Sequence, residues 1–265
     1  MRYFVVDAFT DKVFSGNPAG VCLLDDWLPD ETLQNIAMEN NLSETAFLVE
    51  KDGYYDLRWF TPEIEVDLCG HATLGSAYVL FRFAEKTADR LIFHTQSGIL
   101  SVKKESGMLW MDFPARPAAP AGRYSSIERA FGLSNYSVYK SADLLVVLES
   151  EEAVRRVMPD FEELKRVKDE AEMSGDGFGV IVTAPGHDVD FVSRYFAPNA
   201  GINEDPVTGR AHTVLIPYWS KQLGKASMTA KQLSKRGGML WCEDAGERVR
   251  IGGRAELYLA GEIFI

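Results

Sequence analysis

Two stretches of the chain carry the same arrangement, and this repetition limits the possible folds more than any other property of the sequence. Phe60-Thr61-Pro62 is echoed by Phe196-Ala197-Pro198, and Cys69-Gly70-His71-Ala72 by Thr208-Gly209-Arg210-Ala211, with a slightly longer approach in the second copy. Behind each glycine stands an apolar run of helix length. The first holds Ala72, Leu74, Ala77, Val79, Leu80 and Phe81, and the second Val214, Leu215, Ile216, Tyr218 and Trp219. The first set cannot share one amphipathic stripe, so that helix belongs inside a domain. The repetition predicts two similar halves, each with a buried central helix, over residues 71–83 and 207–223. The backbone N–H groups of a helix start lack partners within the helix and sit at the positive end of its dipole, a natural anion site. If the two starts face one another, they line a cleft suited to a small carboxylate.

Pro114-Ala115-Arg116-Pro117-Ala118-Ala119-Pro120-Ala121-Gly122 is the one proline-rich stretch, and proline holds such a connector extended. It divides the chain into halves 1–115 and 116–265, with the last strand able to pack back on the first half. In the first half, period-two patterning predicts strands over 2–9, 21–24, 44–49, 54–60, 91–95, 99–104 and 108–113. A helix opened by Pro29 and Asp30 carries Leu33, Ile36 and Ala37 on one face. In the second half a short helix after Ser125, helices near 153–158 and 161–167, and strands over 143–148, 180–183, 190–196, 227–232, 239–243, 249–251 and 257–265 are expected. The fold class is α+β, each half a curved sheet wrapped on one helix.

A chain of 265 residues can bury a full core without metals or disulfides. Its three cysteines, Cys22, Cys69 and Cys242, are odd in number and widely spaced, offering neither a disulfide framework nor a Cys-x-x-Cys zinc site. A formal net charge of -11 argues against a nucleic-acid partner. The N-terminus meets Asp7 too soon for a secretory apolar segment, and no apolar run reaches membrane-spanning length. A cytoplasmic protein without a membrane partner is expected.

Two polar residues stand out before any comparison. Asn17, within the turn Ser15-Gly16-Asn17-Pro18-Ala19-Gly20, either lines a ligand site, where small neighbours let the backbone approach closely, or belongs to a plain loop. Glu44 opens a strand among apolar neighbours, which favours a raised pKa and a proton-carrying role; the alternative is a solvated or capping glutamate.

Gly16-Asn17-Pro18, Asn41-Leu42-Ser43-Glu44-Thr45-Ala46-Phe47, Cys69-Gly70-His71-Ala72-Thr73 and Glu204-Asp205-Pro206-Val207-Thr208-Gly209, in that order, resemble the PhzF-like proteins related to phenazine biosynthesis. The resemblance covers essentially the whole chain. It implies the diaminopimelate-epimerase-like fold: two pseudo-symmetric domains, each a curled, mostly antiparallel, barrel-like sheet around a central helix, with the active site between them. It also implies a homodimer and a cofactor-independent, metal-independent isomerase resembling those that move a proton on a dihydro-hydroxyanthranilate.

Carried over residue by residue, the resemblance makes Glu44 the acid/base, assisted by His71 and Asp205. Implied substrate contacts are Asn17, Gly70, Ala72, Ser97, Gly98, Gly209, Arg210 and Ala211. The dipole at the helix start is expected to lower the proton affinity of His71 and favour its neutral ring. Asp205 also reads as an N-terminal cap of the second helix. One position departs from the pattern: Arg210 stands where the family usually has serine, which bears on the pocket and on activity. Within the chain Glu204 and Asp205 are its expected counterions; a substrate carboxylate is the alternative. Two other functions stay open, an amino-acid racemase using facing thiols, Cys69 and Cys242, and a non-catalytic ligand-binding protein.

Overall fold

The computed structural model describes residues 1–173 and 178–265. Its elements in chain order are β1 (Arg2–Ala8), β2 (Asn17–Leu24), α1 (Asp30–Asn40), β3 (Glu44–Glu50), β4 (Tyr55–Phe60), β5 (Glu65–Val66), α2 (Gly70–Phe83), β6 (Arg90–Thr95), β7 (Gly98–Glu105) and β8 (Met108–Pro114). They continue with β9 (Ala119–Ala121), α3 (Ser125–Phe131), β10 (Ser137–Lys140), β11 (Leu144–Val147), α4 (Glu151–Arg156), α5 (Phe161–Glu170), β12 (Val180–Pro185), β13 (Phe191–Ala197) and β14 (Ile202–Asp205). Then come α6 (Gly209–Leu223), β15 (Ser227–Gln232), β16 (Gly238–Asp244), β17 (Arg248–Gly253) and β18 (Ala255–Glu262). This is an α+β fold in two compact units, Met1–Phe113 with Arg250–Ile265, and Pro114–Val249.

The sequence repeat is a repeat of topology. In the first unit β1–β2 pair antiparallel, β2–β3 parallel, β3–β4 and β4–β5 antiparallel, β4–β6 parallel and β6–β7 antiparallel. In the second unit β10–β11, β11–β12, β12–β13, β13–β14, β13–β15 and β15–β16 repeat that series step for step. The central helix enters at the same step in both, between a short antiparallel strand and the strand that returns parallel. The strand added outside the first of each series has a different origin. β1 takes β18, from the end of the chain, and β10 takes β9, from the proline-rich connector.

Helix α2 packs on β1, β2, β3 and β18. It is buried from His71 to Ala77 and again at Val79, Leu80 and Phe81, as its all-round apolar surface requires; each fully buried large side chain contributes about 1.5–3 kcal/mol. Helix α6 contains Pro217, which has no N–H for the carbonyl of Thr213 one turn back. That carbonyl instead accepts from the N–H of Arg116 at 2.9 Å, so the interior proline ties the connector to the central helix. The apolar strand β11 is buried at Leu144, Leu145 and Val146. Its Leu144 and Val146 join Ile127, Val154, Leu164, Val182 and Phe196 in the core of the second unit.

Some local expectations need correction. β2 begins at Asn17 rather than Val21, because the register Ala8↔Asn17 and Asp7↔Pro18 continues into the supposed turn. The true turn lies upstream, where Phe14 N–H donates to Asp7 Oδ2 at 2.8 Å and Gly16 adopts φ +68°; a Cβ there would meet the Ala8 carbonyl oxygen at 2.1 Å. β5, β9, β10 and β14 are of two to four residues and carry no readable period. Among the described residues no helix is long and apolar enough to cross a membrane.

Candidate active site

Helix α1 ends at Asn41, which takes the left-handed conformation with φ 49°, and the chain turns directly into β3. The first residue of that strand is Glu44, and the parallel register Ala19↔Glu44 places it beside the opening of β2, which begins at the fully buried Asn17. Glu44 is 9% exposed, and on α2 His71 is 4% exposed. The Glu44 Oε2 and His71 Nε2 atoms stand 3.1 Å apart. The contact lacks the alignment of a hydrogen bond, and neither atom has another such partner. On the other side of the ring, Nδ1 lies 3.5 Å from the Sγ of Cys69, the extended residue that precedes α2. Thr73 Oγ1 closes the turn by donating to the Cys69 carbonyl.

Burial presses the His71 pKa down, but the neighbouring Cys69 sulfur and Glu44 carboxylate outweigh it, and the result lies well above the ordinary histidine value. Burial, with Glu44 adding to it, pushes the Cys69 thiol up to about 11. Burial thus works against ionisation of the Cys69 thiol, while the Glu44 carboxylate beside the ring favours its protonated form. The expected lowering of the His71 proton affinity by the helix dipole is outweighed by these neighbours. A helix dipole contributes about 0.3–1 kcal/mol, whereas a unit charge at 4 Å contributes about 4 kcal/mol at an effective dielectric constant near 20. A carboxylate and an imidazolium in contact, both screened from water, form a pair that can pass a proton between carbon acids and each other.

The second unit carries a related pair with different chemistry. Arg210 occupies the same second position of its helix as His71, and its Nε donates to Asp143 Oδ2 at 3.0 Å. Asp143 is fully buried, and its Oδ1 accepts from Gly179 N–H at 2.9 Å and from Tyr195 OH at 3.3 Å. A Cβ on Gly179 would meet the Tyr195 ring at 2.2 Å, so glycine is what admits the phenol. Burial and the Asp143 charge push the Tyr195 pKa well above its usual value and keep the phenol a donor. Asp143 is thus a partner of Arg210 that the sequence reading missed, and of the expected counterions Glu204 pairs with Arg194 at 2.7 Å.

Asp205, 7% exposed, ends β14 and accepts from Thr208 Oγ1. It is not the cap of α6; Thr208 is the N-cap residue. Gln232 of β15 also reaches this turn. Thr208 was visible only as part of the second motif, without a role of its own, and nothing in the sequence pattern singles out Gln232. Asp143 did leave a signal, since an acid abutting an all-apolar strand needs a buried partner. Of the other implied contacts, Ala72 and Ala211 are fully buried in the first turns of α2 and α6, and Gly70 and Gly209 open those helices. Ser97 and Gly98 lie exposed at the tip of the β6–β7 hairpin.

His212, one turn into α6, is buried, and its Nδ1 donates to the Thr208 carbonyl at 2.8 Å. Burial lowers its pKa to about 4. From pH 6.5 down to about 4 the unfolded chain binds a proton that the folded protein refuses, so stability falls as pH falls through this window, by about 1.4 kcal/mol per pH unit per proton. Replacing His212 with Gln should flatten the pH dependence of urea unfolding between pH 6 and 4.5 by up to one proton; an unchanged slope would refute it.

Glu44, Cys69 and His71 also offer a carboxylate, a thiol and an imidazole within 4.8 Å of one another, donor types that zinc accepts. The ring points one nitrogen at each neighbour, so a single ion could take all three only if the ring turned. The geometry fits proton transfer better than metal coordination.

The sequence matches the family model described as phenazine biosynthesis-like protein over residues 6–261. It is 50% identical over 265 residues to an uncharacterized isomerase of Pseudomonas aeruginosa, covering 100% of this chain and 99% of the relative. The fold superposes on the crystal structure of a PhzF-family phenazine biosynthesis protein from Enterococcus faecalis with a TM-score of 0.94 and 49% identity, covering 100% and 99% of the two chains. A hydroxyproline epimerase from Agrobacterium vitis, solved with bound trans-4-hydroxy-L-proline, shares the fold at a TM-score of 0.63 and 11% identity over 98% and 91% of the chains.

Proposed function

The chain belongs to the phenazine biosynthesis-like protein family, and we propose that it is a cofactor-independent isomerase that moves a proton on a small carboxylate-bearing substrate, with Glu44 as the acid/base. The observation that carries this reading is the buried contact of Glu44 Oε2 with His71 Nε2 at 3.1 Å. The carboxylate takes the proton from one carbon and returns it to another, and the imidazolium stabilises the negative charge that develops between the two steps. The first-turn N–H groups of α2 at Gly70 and Ala72 are the donors assigned to the substrate's own carboxylate. Asn17 stands at the neighbouring strand opening as a further contact. In the second unit, the proposed contributors are Asp205, Gly209 and Ala211.

Cys69 beside His71 makes a thiol-based racemase the second reading. A thiol base must be a thiolate, and burial holds the thiols of both Cys69 and Cys242 protonated, the opposite of what such a base requires. Cys69→Ser separates the two readings. With a panel of small acids that includes dihydro-hydroxyanthranilate and trans-4-hydroxy-L-proline, the shuttle predicts turnover of the same acid within a few-fold of wild type. A dead Cys69→Ser protein of normal stability would transfer the assignment to the thiol.

A further inference from the structure

Gln232 is 1% exposed at the end of β15, and its side-chain amide is read without ambiguity by two main-chain groups. The N–H of Thr208 can only donate, so the atom 2.8 Å from it is Oε1; the carbonyl of Asp205 can only accept, so the atom 2.7 Å from it is Nε2. Turning the amide over would lose both bonds. One side chain thus bridges the two ends of the turn Asp205-Pro206-Val207-Thr208. The same Nε2 lies 3.0 Å from Thr208 Oγ1. Nε2 has only hydrogens to offer, so the Thr208 hydroxyl accepts there and directs its own hydrogen at Asp205 Oδ2. The chain of donation runs one way, from Gln232 through Thr208 to the carboxylate.

We propose that Gln232 is the positioning residue of Asp205: it polarises the Thr208 hydroxyl toward Oδ2 and keeps that oxygen an acceptor. The proposal rests on the reading that Asp205 takes part in the reaction. A hydrogen bond to the charged form of a carboxylate lowers its proton affinity, so loss of the relay should raise it. Only a side chain with an acceptor and a donor side by side serves both main-chain groups. Glutamate lacks the donor, and methionine lacks both. These substitutions leave alone the contacts of Tyr195 of β13 and Arg210 with Asp143, and of Glu204 with Arg194.

The test is the titration of the Asp205 carboxyl by carbon-13 NMR in wild type, Gln232→Met, Thr208→Val and the double variant. Each single variant should raise the Asp205 pKa by about one unit, a tenfold gain in proton affinity. The double variant should add little, because the two groups act in series. Thr208→Ser, which keeps the hydroxyl, should titrate like wild type. If Gln232→Met does not fold, Thr208→Val read against Thr208→Ser carries the test, because a carboxylate at position 232 would raise the Asp205 pKa by its charge alone. An unchanged pKa in folded variants overturns the proposal and leaves Gln232 a structural clamp. Separately, deuterium exchange into dihydro-hydroxyanthranilate at the wild-type rate by Asp205→Asn would overturn the underlying reading that Asp205 takes part.

Discussion

Glu44→Gln should lower the rate of proton transfer by about 100-fold or more, the scale on which a positioned acid/base contributes, while the fold survives. The amide has the volume of the carboxylate and sits at the same strand opening, so β3 loses no packing. It cannot take a proton and give it back. The variant has a second signature on His71, whose pKa in the wild type is raised against a strong opposing effect of burial. Without the carboxylate, burial governs, and the ring pKa should fall; heteronuclear NMR of the imidazole reads this directly. The stability linkage follows the same sign. A folded-state pKa above the unfolded value contributes stability that is complete below pH 6.5 and lost as pH rises through the folded pKa, and Glu44→Gln should remove that contribution. Near wild-type turnover by the variant would mean that another group carries the proton.

The second large effect is expected on stability. Asp143→Ala strands a buried N–H at Gly179, a buried phenol at Tyr195 and the guanidinium of Arg210, all of which donate to this one carboxylate. Breaking a buried charged network by removing one partner costs about 3–5 kcal/mol. The Arg210 side chain is 34% exposed and recovers part of its loss in water, which places the expectation near the lower end, about 3 kcal/mol. Asp143→Asn, which keeps one acceptor, should cost less than half of that. Urea unfolding monitored by circular dichroism gives both numbers. A loss below about 1 kcal/mol for Asp143→Ala would show that solvent or a rearranged neighbour satisfies the three donors.

The parts of this fold that were legible in the sequence are those whose physics is local. A glycine followed by an all-round apolar run announces a buried helix whatever surrounds it, and both central helices begin at the glycines that the repeat marks, Gly70 and Gly209. Strands with a clear alternation, such as Tyr55-Asp56-Leu57-Arg58-Trp59, were equally readable. Short pairing segments were not: β5 and β14 exist because a neighbouring strand offers unpaired groups, and two to four residues carry no period of their own.

Within the candidate site, the sequence pointed to Glu44 by its place at a strand start among apolar residues. The direction of the His71 pKa shift was misjudged because the helix dipole is local and visible, whereas the carboxylate that opposes it arrives from 27 positions away. Arg210 was matched to the nearest acids in sequence for the same reason. Its partner Asp143 is 67 positions upstream and was betrayed only by its attachment to the apolar run Leu144-Leu145-Val146-Val147, so the sequence reading missed it. Gln232 left no trace at all, since a buried amide that bridges two main-chain groups looks in sequence like any strand residue.

Proton transfer through one carboxylate has a direct isotopic consequence. With the panel acid that turns over, the reaction run in deuterium oxide and followed by NMR and mass spectrometry should place up to one solvent-derived deuterium on each product molecule, at the carbon that receives the proton, the remainder being substrate hydrogen returned by the same carboxylate. Cys69→Ser should give the same pattern, and Glu44→Gln should give none on the same timescale. Undiminished incorporation by Glu44→Gln, or its disappearance in Cys69→Ser alone, would contradict the assignment of Glu44 as the proton carrier.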